Sequence, residues 1–363
     1  MMKKIACTPL LVLVVWLSLV SASHGREFIR ESVRARGMGN AFTAVANDDY
    51  ALFYNPAGLQ SVPVHMFELF GFDSTINQVL LDLFGSVPGK GDSDKLLESF
   101  SNVAGKRFSA EGGLSGLNIT APGWGYSLFA NSRFDVGINN PTVPYFDFQV
   151  YAQAGSIFGF AFSALDYDLD IGLAVKALRR TGIKDELHFV DFGPLIQGDL
   201  TQLEDKYSTT TAYAPDLGMT YHIDRFHFFP LRLSLVVQNI GGLDFDGAGV
   251  VPMQMNGGIA SELELGGLDV LLAADALDML GAQEGKSYVT DLKLGTEVGL
   301  FRLYNGHHLL SLRFGLNGVY TSYGLSLNLF GAKIDYANWS EEVGGSAGAQ
   351  EDQRQSFRFS ILF

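Results

Sequence analysis

The sequence predicts an all-β fold: a transmembrane, antiparallel, up-and-down β-barrel of about 14 strands, with a helical loop insertion and a non-alternating N-terminal segment. Three observations point there. Large apolar side chains alternate with small or charged ones over stretches of about ten residues, the length a tilted strand needs to cross a bilayer. The 363 residues are 47% hydrophobic and 12% aromatic but only 18% charged, against about 25% charged in ordinary soluble proteins. The chain also ends on an aromatic, Phe363. Glycine is abundant, 42 residues, yet follows no Gly-x-y period, so collagen is excluded, and the apolar content excludes intrinsic disorder. A net charge of -14 leaves no basic footprint, so no nucleic-acid partner is expected.

Residues 1–25 read as a signal peptide. Lys3 and Lys4 form a basic start, Leu10 to Val20 form a short apolar run, and Ser23-His24-Gly25 supplies small residues before a cut at Arg26. Cys7 precedes that run and leaves with it, so the mature chain is expected to have no disulfide or thiolate metal site. No later stretch holds 18 uninterrupted apolar residues, which excludes helical spans from the reading.

Residues 26–63 precede the first strand and do not alternate; residues 64–363 form the barrel. Within the barrel, Leu292, Leu294, Thr296, Val298 and Leu300 share one parity, opposed by Lys293, Gly295, Glu297 and Gly299. The pattern repeats at Leu310 to Leu316, Tyr323 to Leu329, Leu169 to Val175 and Phe357 to Phe363. Candidate strands fall near 64–73, 123–131, 133–139, 145–154, 157–166, 169–180 and 210–222. Others fall near 231–241, 252–263, 268–277, 289–302, 308–318, 322–337 and 355–363. Fourteen is the count, with twelve the alternative. A soluble sandwich shares the alternation but not the strand length or the aromatics at strand ends.

The segment 26–63 carries Arg36-Gly37-Met38-Gly39-Asn40-Ala41-Phe42 and then Asn55-Pro56-Ala57-Gly58-Leu59. Here the chain resembles the FadL-like long-chain fatty-acid transporter superfamily and its PorV-like relatives. Val237-Gln238-Asn239-Ile240-Gly241 and Ile334-Asp335-Tyr336-Ala337 extend the resemblance over nearly the whole mature chain. It implies a lumen plugged by the Gly-rich N-terminal plug segment, residues 26–63, with Gly37, Gly39, Asn40, Asn55, Pro56, Ala57 and Gly58 as the plug motif. By themselves, the glycines also read as positive-φ turn positions, and Asn55-Pro56 as a turn start.

Residues 74–122 are expected to form a long loop with two short amphipathic helices. Thr75 with Gln78 reads as a capping box for the first, whose apolar face carries Leu80, Leu83 and Phe84. Ser93 caps the second, which carries Leu96, Leu97 and Phe100 and stops at Gly105. The stripes either pack on each other and the barrel rim, or form a hydrophobic ligand site, as the resemblance implies.

No nucleophile elbow or zinc helix is present, so no enzyme activity, metal or cofactor is expected. His307-His308 reads as an interfacial turn; Asp244-Phe245-Asp246, Glu341-Glu342 and the acidic stretch 182–207 read as solvated loops. The resemblance implies localisation to a Gram-negative outer membrane and passive uptake of a hydrophobic small molecule such as a long-chain fatty acid. The alternative is a PorV-like scaffold that docks exported proteins without transport. The other expected partners are outer-membrane lipid and the barrel-assembly machinery, which the C-terminal Phe363 would engage.

Overall fold

The computed structural model describes residues 29–86, 106–139, 145–188, 206–223, 229–281, 291–303, 308–329, 331–344 and 347–363. The expected signal peptide lies outside the described residues, as do Leu96, Leu97, Phe100 and the rest of the expected second loop helix.

Fourteen strands close into one antiparallel barrel. The wall begins with β1 (Met66–Asn77), β2 (Arg107–Ala121), β3 (Trp124–Asn139), β4 (Tyr145–Ala164) and β5 (Leu169–His188). Next come β6 (Ser208–Ile223) and β7 (Leu231–Gln238), followed by a small two-stranded hairpin, β8 (Leu243–Asp244) and β9 (Val250–Val251). The wall resumes with β10 (Gln254–Leu265), β11 (Leu268–Ala276), β12 (Leu292–Arg302) and β13 (His308–Asn317). It finishes with β14 (Tyr320–Leu329), β15 (Ala332–Glu342) and β16 (Glu351–Leu362). Each wall strand pairs with its chain neighbour, β7 pairs with β10 across the hairpin, and β16 closes on β1 through Phe72↔Phe359 and Ser74↔Phe357. Phe363 and Phe67 exchange both backbone hydrogen bonds at 2.9 and 2.8 Å, which seals the seam.

The alternation in the sequence becomes an outside and an inside. Leu294, Phe314, Leu325, Phe357 and Phe158 are exposed on the outer wall, whereas Lys293, Glu297, Arg313, Arg358 and Asp216 are buried inside. So extensive an apolar exterior is untenable in water and suits a lipid contact. Among the described residues no helix is long and apolar enough to cross a membrane; the strands are the crossing elements. Both ends of the wall and the tight turns 122–123 and 266–267 lie at one end of the barrel, the short-turn end; β1, β5 and β11 finish at the opposite, long-loop end.

The strand total matches the expectation, although four of its boundaries do not. Residues 123–139 form one strand rather than two, and so do 145–164; 322–337 spans two strands rather than one. Arg107–Ala121, expected within the loop 74–122, is a wall strand. The reasons are local. Ser132, Ala152, Ala154 and Ser156 occupy outward positions, so their small size looks like a break in the apolar pattern. In β2, Gly112 takes an outward position and a bulge between Gly116 and Ile119 shifts the register, which hides the period.

Further corrections concern the loops. Thr75 is a strand residue that accepts a hydrogen bond from Arg36 and pairs with Ser356, so it caps nothing. Instead, the Asn77 side chain accepts the Leu80 N–H at 3.2 Å and starts α3 (Gln78–Ser86). Residues 182–188 continue β5. Glu342, expected in solvent, is buried and accepts backbone N–H groups from Gly344, Ala349 and Gln350.

Candidate functional site

The plug segment occupies the lumen as α1 (Val33–Gly37), α2 (Ala51–Tyr54) and a 3-10 helix, Pro56–Ser61. Its sequence explains how it fits. Gly39 sits at φ +65°, and a Cβ there would approach the Leu316 backbone to 2.5 Å. Gly37 and Gly58, expected at positive φ, are instead helical, and Gly58 is required by space: a Cβ there would lie 1.9 Å from the Ala46 carbonyl oxygen. Asn55 caps the 3-10 helix: its Oδ1 accepts from Ala57 N at 3.0 Å, while its amide donates to Thr43 O and Thr220 Oγ1. Pro56 takes the first helical position, where its missing N–H costs nothing. Asn40, also at positive φ, donates to Glu31, and Gly37 packs against Gly324 and Arg313. The wall is complementary. A Cβ on Gly172 would strike Pro56 and Ala57 at 2.2 Å, so β5 admits the motif only with a glycine.

Wall side chains satisfy the plug backbone. Asp275 accepts from Phe42 N and Thr43 N, and Gln238 donates to Phe53 O and Tyr54 O. Four plug-to-wall ion pairs accompany these bonds: Arg30–Asp73, Arg34–Glu297, Arg36–Glu111 and Asp49–Arg358. Burial opposes charge on Asp49, but the Arg358 guanidinium outweighs it and holds that carboxyl well below the usual range. Phe42, Tyr50, Leu52 and Phe53 share an apolar core with Phe129, Ile157 and Leu178 of the wall. Sequence reasoning gave Asp275 no role; its place among small apolar residues on the inward parity of β11 was the available signal.

A second inward element was read as a solvated loop. Asp244 and Asp246 are indeed exposed, but Phe245 between them is fully buried, with Leu243, Ala248 and Val251, in the same core as the plug. The Arg180 guanidinium lies between Tyr151 and Phe245, 4.0 and 4.3 Å from their ring centroids. Thus the hairpin β8–β9 folds into the barrel from the long-loop end.

The hydrophobic-ligand candidates divide. Leu80 and Leu83 lie on α3, half-buried where the helix packs on β1, β2 and β16. The side chain of Phe84 lies outside the described residues. Leu80 and Leu83 line none of the following three cavities. A charged cavity of about 340 Å³ sits at the short-turn end between Arg34, Asp49, Glu297 and Lys333. A smaller one, about 40 Å³, lies inside the wall beside Ile29, Arg30 and Arg133. An open groove of about 560 Å³ runs along the outer wall from Phe72 and Leu114 to Arg179. The last two are back to back: Gly112, Asn131 and Ser132 line both. Behind that thin stretch of wall, Asn131 and Gln153 hold the Ile29 carbonyl at 3.2 and 3.3 Å.

His308 pairs with Asp269 at the short-turn end, while His307 lies outside the described residues. Among the described residues no three His, Cys, Asp or Glu side chains gather as metal ligands.

No protein-family model matches the sequence, and no curated protein matches it. Solved structures do. A deltaS2 mutant of the monoaromatic hydrocarbon channel TodX, known from Pseudomonas putida, is 13% identical with a TM-score of 0.50, covering 92% of this chain and 97% of its own. The Ralstonia pickettii toluene transporter TbuX is 13% identical, TM-score 0.47, with 94% and 98% covered. A Pseudomonas aeruginosa FadL homologue is 10% identical, TM-score 0.47, with 93% and 99% covered. The similarity to TodX is one of fold: a barrel of the kind expected from the sequence.

Proposed function

We propose that the chain is an outer-membrane barrel that takes up hydrophobic compounds passively, long-chain fatty acids among them, through its side wall. The observation that carries this reading is the thin wall at Gly112, Asn131 and Ser132, with a cavity inside it and an apolar groove outside. Plug and hairpin fill the lumen around the shared core, so a straight axial path is poorly suited to a bulky solute. A lateral path keeps an apolar solute out of water, and each methylene so sheltered favours it by about 0.8 kcal/mol. Leu80, Leu83 and Phe84 on the rim helix would provide a first apolar contact. No cofactor or ATP enters this scheme.

The test uses Gly112→Trp. A Cβ at this outward position meets only Ser132 Oγ at 3.5 Å, so a large side chain can enter the groove without breaking the wall. Proteoliposomes are presented from outside with labelled oleate or toluene. Uptake through the wild type that falls to the protein-free background in the variant supports the wall path. Unchanged uptake in Gly112→Trp overturns the path. A wild type that passes neither compound, yet isolates with a bound exported protein, overturns uptake in favour of a scaffold.

A further inference from the structure

We propose that the outer groove is a binding site for one phosphate-bearing membrane lipid, with the headgroup on Arg179 and an acyl chain laid across the small residues of β3 and β4. The inference rests on the reading that this wall faces lipid, and not on transport.

The register assembles the groove. Phe72, Leu114, Ala130, Ala154 and Arg179 are successive cross-strand partners from β1 to β5. Four strand spacings of about 4.8 Å make this row roughly 19 Å long. Its middle is shallow because alanines stand where the outer surface otherwise carries bulky groups; Phe134 and Val150 resume that surface beyond it. The row is therefore apolar at one end and cationic at the other, which is the polarity of a lipid.

Arg179 is the second, independent observation. It is exposed on the lipid-facing parity of β5, between Ala154 and Thr211, and among the described residues no carboxylate pairs with it. Asp185, further along the same face, is already paired with Lys206. A cation on a barrel's outer face is costly unless it lies near the interface or is neutralised there. Arginine can lay its stem on apolar surface and offer a planar fork that binds phosphate through two hydrogen bonds. The Thr181 and Thr209 hydroxyls, 3.1 Å apart on the same face, add polar groups beside it. Membrane lipid is present at this surface permanently, whereas a transported solute is transient, so lipid is the occupant assigned.

The full chain, purified in a neutral detergent and titrated with phosphatidylglycerol, is examined by native mass spectrometry. One tightly held lipid is expected. Arg179→Gln should weaken its retention roughly tenfold, the effect of losing one charge-assisted pair. Ala154→Phe should also weaken it, with the charge intact, by filling the groove. Heat-modifiable migration on gels checks that both variants form the barrel. Equal retention by Arg179→Gln overturns the site, and so does retention of oleate in preference to the phospholipid. Loss of lipid from Arg179→Gln with oleate uptake unchanged supports it.

Discussion

Arg358 carries two carboxylates at once: Asp49 of the plug at 2.6 Å and Glu68 of β1 at 2.5 Å, all three buried. It also lies over the Tyr50 ring, 4.5 Å from the centroid. Replacing one partner of a buried pair leaves an uncompensated charge, so Arg358→Ala should destabilise plug docking by about 3–5 kcal/mol, read as accelerated tryptic cleavage of the plug. The pH dependence has a definite sign. Asp49 is held below its ordinary value, so its stabilisation is complete above the unfolded pKa of about 4 and is lost only as pH falls through the lowered value. Wild-type protection should therefore persist from pH 7 to about 4. In Arg358→Ala the burial penalty loses its main counterweight, and acidification should restore part of the protection. Protease protection measured across that range checks both statements. Part of this chemistry was visible at residue level: the turn conformation of Gly39 and the helix-starting role of Asn55 were legible because each is a local requirement, whereas Gly58 is required by the close approach of Ala46 and not by its own φ. The partners Asp275, Gln238 and Arg358 were not, because they lie far along the chain.

Among the elements, the hairpin β8–β9 departs most from the expectation. Asp244 and Asp246 made it look solvated, yet Phe245 anchors it in the lumen against Arg180. Phe245→Ala should cost about 3–5 kcal/mol of local packing and release the hairpin. The expected result is faster hydrogen exchange across 243–251, with the β4–β5 wall unchanged; unaltered exchange would mean that backbone bonds alone hold it. Strand recognition shows the same limit. Period two was clear wherever bulky outward residues recur, as in β12, β13 and β14. It failed in β2, β3 and β4, where Gly112, Ser132 and Ala152 face outward. The residues that obscured the strands in the sequence are those that shape the outer groove.

For the whole molecule, closure depends on the seam between β1 and β16. Phe363 supplies the last two backbone bonds of that seam, to Phe67, and its ring is 70% exposed on the outside. The side chain thus lies outside the core, and the contribution of Phe363 to closure is its two backbone bonds. Deleting Phe363 should lower the yield of heat-modifiable barrel, while Phe363→Tyr should preserve it; gel migration after outer-membrane isolation distinguishes them. The sequence by itself determined the barrel class and the direction in which each clear strand faces, because alternation is a local property. Only the tertiary structure decided which wall residues hold the plug, that β8–β9 folds inward and where the wall is thin. Those features come from strand register and the closing of the sheet, which bring together residues hundreds of positions apart and leave no period in the chain.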